Sequence, residues 1–498
     1  MLRLRLALLA FLLLAPLAAA QQRVPGETWR QYADVAEAGF DAEALAAARA
    51  SWEELPSSAF LVIADGAVVA SWGEVDRRFM CHSVRKSFLS ALYGIYWDRG
   101  EIQLNQTMED LGIDDAPSPL LPREKQARIL DLLKARSAVY HPAAYAGRTD
   151  SAPRGSIGPG QAFGYNNWDF NTLATILMQI TGEDVFEAFD QYFGQPLAMQ
   201  DWRVSDGYYH YERDKSIYPA YPFRMSARDA ARFGLLFARE GMWGEQRILS
   251  HHWVARSTAL YSIDSDLMGY GFMWWVFRKP SLEQYRGFAA LGVGNQMIAV
   301  FPAIDVVIVN RANTYDGERT PTRPLIALID QVLAARTGKP VAEPRLVAHE
   351  PSPAPSYRTT VAAESLAPLA KDWQYPPASL GLSAAALGRE EPLILKLALA
   401  EGHLRGHVEV FGTFAFYLQP DGSLVQEDAE ESFYPVRTAA GELDGFAPLG
   451  MILQAARRAD ERGEAALAMR LYRRGLEIAP ENEAARAALE ALEAGDGD

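Results

Sequence analysis

The chain has 498 residues, 49% of them hydrophobic, and sets 48 Lys and Arg against 63 Asp and Glu for a formal net charge of −15. That length predicts two or three domains with cores of their own, and the acidic balance excludes nucleic acid and anionic lipid as partners. Cys81 is the only cysteine, so no intramolecular disulfide forms and the fold stands on packing; even beside His82 it reads as a buried structural thiol.

The first residues, "MLRLRLALLAFLLLAPLAAAQQ", place Arg3 and Arg5 before a short apolar run that closes on Ala18-Ala19-Ala20. This is the order of a secretory signal peptide, and it predicts cleavage near Ala20 and an exported chain, periplasmic or secreted. The run is short for a bilayer span, and Gln21 stands where a lipoprotein needs a cysteine, so no stable membrane anchor is expected.

Next, "FDAEALAAARASWEELP" predicts an amphipathic helix, and "AFLVIADGAVVASWGEV" a β-hairpin turning on Asp65-Gly66. In "FMCHSVRKSFLSALYGIYWDRG", Phe88, Leu89, Leu92 and Ile95 recur at helical spacing and predict one apolar face, with Ser83 at or near the first turn. The Gly- and Pro-rich stretch "SAPRGSIGPGQAFGYNNWDF" leads into a helix marked by Leu173, Ile176, Leu177 and Ile180. "RMSARDAARFGLLFAREG" reads as a helix capped by Ser226 and stopped by Gly241, and "YGFMWWVF", "YRGFAALGVGNQMIAVF" and "DVVIVNR" as three strands.

Residues 341–357 are Pro-rich and predict a linker closing a domain of residues 21–340. Residues 358–442 alternate strand patterns with Gly-rich turns, which predicts a small β domain. Residues 445–495 carry Ala466, Leu471, Leu476 and Pro480 in the manner of one tetratricopeptide-like hairpin. A single hairpin does not bury its own apolar face, so it is expected to pack on the β domain, with protein contact through this tail as a second possibility.

Three short elements carry chemistry. Ser83 and Lys86, three apart, share a helix face, so Lys86 reaches the Ser83 hydroxyl; a lysine with a lowered pKa activates a serine that is otherwise a poor nucleophile. Taken alone, the pair reads first as a helix cap and a solvated side chain. In "FGYNNW", Tyr165 is a second candidate acceptor of the serine proton, provided that nearby cations depress its pKa from about 10. In "AALGVGNQ", Gly292 and Gly294 at the start of a strand let a substrate approach the backbone, although a bulge or turn accounts for them equally well. Competing signals are thin: the chain has no Gly-x-Ser-x-Gly elbow and no His-Glu-x-x-His pair. Its eight histidines lack ligand spacing, and His251-His252 reads as a helix start.

In their order and context these elements resemble the serine β-lactamase, penicillin-binding protein and esterase superfamily, especially its class C-like branch, over about residues 25–335. The resemblance implies an α+β fold: an antiparallel sheet flanked by helices, with an all-helical insertion. It implies Ser83 as the acylated nucleophile, Lys86 and Tyr165 as its general-base pair, Asn167 as the residue that orients Lys86 and substrate, and no metal or cofactor. The oxyanion hole would come from the backbone N–H groups of Ser83 and Val293, just after Gly292. Ala290 departs from the pattern, because many members carry there a cation that faces a substrate carboxylate. An Ala-x-Gly version resembles 6-aminohexanoate-dimer hydrolase and favours small esters and amides, with Arg286 as a candidate replacement for the missing charge. A D,D-peptidase or weak β-lactamase is the alternative within enzymes, and a catalytically silent binder of cell-wall fragments the alternative outside them.

Overall fold

Period-two alternation builds the central sheet. In Ala59–Ala64, Gln296–Phe301 and Val306–Arg311, successive side chains point to opposite faces, and both faces are buried. Leu61, Ile63, Ile298, Val300, Val307 and Val309 pack into one core, whereas Phe60, Val62, Met297, Ala299, Phe301 and Ile308 pack into the other. A sheet apolar on both faces needs helices on both. Ala42–Glu53 and Thr322–Ala334 cover one face; Arg85–Asp98, Asn167–Thr181 and Ala227–Ala238 pack into the core on the other.

The computed structural model describes residues 23–146, 152–315, 317–350, 352–353, 355–358, 361–382, 391–408, 412–429 and 431–495; the expected leader and its cleavage point lie outside them. The chain is α+β, as expected. Its large sheet has ten strands, in the spatial order Leu346–Ala348, Arg30–Tyr32, Ala67–Gly73, Ala59–Ala64, Val306–Arg311, Gln296–Phe301, Phe288–Gly292, Trp275–Phe277, Met268–Tyr270 and Ser262–Ile263. Its pairings are antiparallel except that between Arg30–Tyr32 and Ala67–Gly73. No helix among the described residues is long and apolar enough to cross a membrane.

Four expectations change within residues 23–350. "YGFMWWVF" turns between two strands, with Gly271 N–H donating to the Trp274 carbonyl at 2.8 Å. "YRGFAALGVGNQMIAVF" is also two strands, so Gly292 ends a strand and Gly294, at φ +78°, makes the turn that follows. The Pro-rich stretch contains Leu346–Ala348, which adds to the sheet edge, with Arg30 opposite Ala348. Strand-forming residues beside an unpaired edge find hydrogen bonds there that a free linker lacks. The Arg85–Asp98 helix is buried on nearly all sides rather than along one stripe, and Ser87 and Ser90 satisfy their hydroxyls on the Met273 and Phe272 carbonyls, each at 2.7 Å.

The second sheet is a seven-strand meander from Asp372–Tyr375 to Leu443–Pro448, whose first and last strands come together in a near-barrel. Its last strand lies beyond residue 442, because Gly441, at φ +85°, turns a hairpin where a domain end was expected. The tail, expected as a single hairpin, has three helices among the described residues, Leu449–Glu461, Ala465–Ile478 and Glu483–Gly495. Ile452, Ala455 and Leu471 share a core with Leu380, Val436 and Ala447 of the β unit.

Candidate active site

Ser83 is delivered by a short, strained approach. Phe79–Met80 pairs with Arg224–Met225, and Cys81 N–H donates to the Phe223 carbonyl at 2.8 Å. His82 then takes a left-handed conformation, at φ +47°, and a 3₁₀ turn, His82–Val84, merges into the Arg85–Asp98 helix. Ser83 therefore precedes the α-helix by two residues, with Lys86 in its first turn.

Lys86 Nζ lies 2.8 Å from Ser83 Oγ, 2.5 Å from Tyr165 Oη and 2.7 Å from Asn167 Oδ1. Asn166 explains the spacing of the second element: its side chain caps the Asn167–Thr181 helix by accepting from Asp169 N–H at 3.0 Å, which leaves Tyr165 and Asn167 to face Lys86. Asn167 is fixed by donating Nδ2–H to the Tyr145 carbonyl at 2.6 Å.

Burial, and after it the Arg85 guanidinium, hold the Lys86 amine well below its usual range. Tyr165 goes the other way. Burial outweighs its hydrogen bond with Ser83 and the charge of Arg85 and pushes the phenol up to about 12. The depression that proton acceptance by Tyr165 required is thus absent: burial favours the phenol at Tyr165 and shifts Lys86 towards its neutral amine.

Sequence reasoning missed Arg85, Tyr145 and the role of His82. Arg85 is fully buried over the rings of Tyr145 and Tyr221, with Cζ at 5.2 and 5.0 Å from their centroids. Nη1 donates to the His82 carbonyl at 3.0 Å, whereas Nε and Nη2 have no partner among the described residues. Buried cations are ordinarily paired, and nothing in a Ser-Val-Arg-Lys string marks its arginine as an exception. His82 joins Tyr145 Oη to Nδ1 at 2.9 Å and Thr314 Oγ1 to Nε2 at 2.8 Å. Burial, then the charges of Arg85 and Arg311, lower its pKa to about 3, so the ring is neutral at physiological pH. Cys81 is fully buried beside Arg311, its thiol pushed up by burial, which makes it inert.

The third element meets the first at Gly292. A Cβ there would lie 2.4 Å from the Cys81 carbonyl oxygen and 3.1 Å from Ser83 N, so only glycine lets this strand end reach the serine backbone. Val293 follows, 44% exposed. Ala290 is buried in the core that also holds the serine helix. Arg286 does not replace the missing cation: it precedes the far end of the Phe288–Gly292 strand, 66% exposed, and Nη2 pairs with Glu240 Oε1 at 3.2 Å. His251 and His252 open a helix capped by Ser250, and no cluster of metal-ligating side chains occurs among the described residues.

The family model described as Beta-lactamase matches residues 44–331. No curated protein matches the chain. Among solved structures, a Bacillus anthracis protein assigned as a 6-aminohexanoate-dimer hydrolase is 18% identical, over 57% of this chain and 80% of that one, with a TM-score of 0.45. A penicillin-binding protein from Bacillus halodurans is 17% identical, over 57% and 98%, with a TM-score of 0.43. A penicillin-binding protein homolog from Caulobacter crescentus is 14% identical, over 60% and 99%, with a TM-score of 0.45.

Proposed function

The chain belongs to the beta-lactamase family, whose members are hydrolases, mostly serine-based, and from that premise we propose that it cleaves an ester or amide through an acyl-enzyme on Ser83. The observation that carries this reading is Lys86: a fully buried amine, its pKa lowered by that burial, 2.8 Å from the Ser83 hydroxyl and held from the other side by Asn167 and Tyr165.

In the proposed reaction Lys86 takes the Ser83 proton as Oγ attacks the carbonyl carbon. The resulting oxyanion is held by the backbone N–H groups of Ser83 and Val293, which Gly292 brings into range. Collapse of the tetrahedral intermediate expels the leaving group, which takes a proton from the Tyr165 phenol; the Lys86 ammonium refills it. Water then attacks the acyl carbonyl, its proton passes to Lys86, and Ser83 Oγ leaves reprotonated with release of the acid. Ala290 supports uncharged esters and small amides over β-lactams, because it offers no charge to a carboxylate and Arg286 is engaged elsewhere.

A fluorophosphonate probe and a labelled penicillin, applied in parallel to the protein and to Ser83→Ala, test the reading. Ser83-dependent labelling by the fluorophosphonate alone is expected. Labelling by penicillin would redirect the substrate towards cell-wall peptides, and no Ser83-dependent labelling by either reagent would overturn the enzyme. Export is proposed on the leader sequence, and the intact mass of the secreted product checks cleavage near Ala20.

A further inference from the structure

We propose that the C-terminal near-barrel is a ligand-binding module, taking a ring-bearing apolar molecule that carries no negative charge. The proposal does not depend on the reaction at Ser83.

The barrel and the hydrolase unit together enclose a cavity of about 350 Å³. That is far larger than the voids that close packing leaves in protein interiors, and it falls within the lower part of the range of small-molecule sites. Alternation along the strands supplies its walls: Leu395, Val408, Phe414, Phe416 and Phe433 point inward. Gly406 contributes by having no side chain, because a Cβ there would lie 2.3 Å from the Phe416 ring. Tyr375, Gln426, Ala429 and Glu431 also line the cavity from the barrel, and Met80, Tyr208 and Tyr315 from the hydrolase unit. Ser83, Lys86 and Tyr165 do not line it.

Three features define the occupant. Six aromatic rings line the cavity, from Tyr208, Tyr315, Tyr375, Phe414, Phe416 and Phe433, and such walls favour flat rings over branched chains. None of the described lining residues carries a positive charge, which disfavours a carboxylate or phosphate. Glu431 adds a carboxylate to the lining, which repels an anion further. The walls are held in register across the two units. Arg224 stacks its Cζ 3.6 Å from the Phe414 centroid and donates to the Thr413 carbonyl, and Thr314, next to Tyr315, is tied to His82.

Prodan, a neutral naphthyl ketone whose emission shifts blue on leaving water, tests this directly on the full chain. Saturable one-site binding is expected, at least tenfold weaker in Ala429→Phe, which fills the cavity, and unchanged in Ser83→Ala. Absence of saturable binding to the wild-type protein overturns the proposal, as does binding that Ala429→Phe leaves intact. Photolabelling of the wild-type protein with benzophenone, mapped by mass spectrometry, gives an answer that needs no variant. Adducts on Tyr208, Tyr315 or residues 393–433 support the site, and adducts confined to other regions overturn it.

Discussion

Lys86 and Arg85 are neighbours in sequence with opposed needs: in the proposed reaction one gives up its charge, and the other is buried with no carboxylate partner among the described residues. A guanidinium cannot be deprotonated at ordinary pH, so the cost of two adjacent buried cations falls on the lysine. Only the neutral amine accepts the Ser83 proton, so the rate of fluorophosphonate labelling rises with pH through the Lys86 pKa and is fully developed above it. Removing the charge in Arg85→Gln raises that pKa and moves the acid limb to higher pH, whereas Arg85→Lys leaves the limb in place. Each unit of displacement costs about tenfold in rate below the limb, and labelling measured from pH 5 to 10 checks it. Lys86→Met is expected to cut the labelling rate by about 10²–10⁴ at every pH, the usual worth of a positioned general base.

At the scale of elements, the site depends on one strand end that touches one turn. Phe288–Gly292 comes within van der Waals range of the Cys81–Ser83 backbone, and both sides of that contact are main chain, which has little freedom to yield. Gly292 has φ −138°, open to any residue, so its requirement is one of space rather than of backbone conformation. Gly292→Ala is therefore expected to push Val293 away from Ser83. Overpacking of this kind costs about 1–3 kcal/mol. Labelling at Ser83 should fall at least tenfold while the melting temperature drops by only a few degrees, and calorimetry beside the labelling assay separates the two effects. The Tyr-x-Asn element works by a different logic, in which the middle residue, Asn166, caps the helix and its neighbours project to Lys86.

At the scale of the whole molecule, a buried ionic cluster joins the hydrolase unit to the barrel. Arg78 Nη1 lies 3.2 Å from Asp206, and Nη2 lies 2.6 Å from Glu427 and 2.7 Å from Asp428, with all four side chains at or below about a twentieth exposed. Arg77 Nε adds a bond to the Asp428 carbonyl at 2.6 Å. Arg224 reaches Asp206 at 3.4 Å, and Arg203 and Arg358 reach Glu427 at 3.4 and 3.3 Å, but Arg78 is the guanidinium set among all three carboxylates at once. Arg78→Ala is expected to cost about 3–5 kcal/mol, because it leaves buried charge uncompensated. Thermal unfolding followed by calorimetry should show an early transition of the barrel and tail. A single transition at the wild-type temperature would show that packing at Met80, Tyr208 and Phe414 suffices to hold the units together.

By itself, the sequence determined what depends on near neighbours. The Ser83–Lys86 spacing, the hairpin at Asp65-Gly66, the Ser226 cap and the alternating strands follow from periods of 3.6 and 2 and from turn chemistry, all readable within a few residues. Tertiary structure alone decided what depends on distant partners. The Tyr145 carbonyl orients Asn167, burial sets Lys86 and Tyr165 on opposite sides of their ordinary pKa values, and Glu240 takes Arg286 out of contention. Leu346–Ala348 became a strand because an edge across the fold was open to it. Protonation and pairing are settled by what surrounds a group in three dimensions, and a local pattern carries no record of whether water, a carboxylate or a ring will stand beside it.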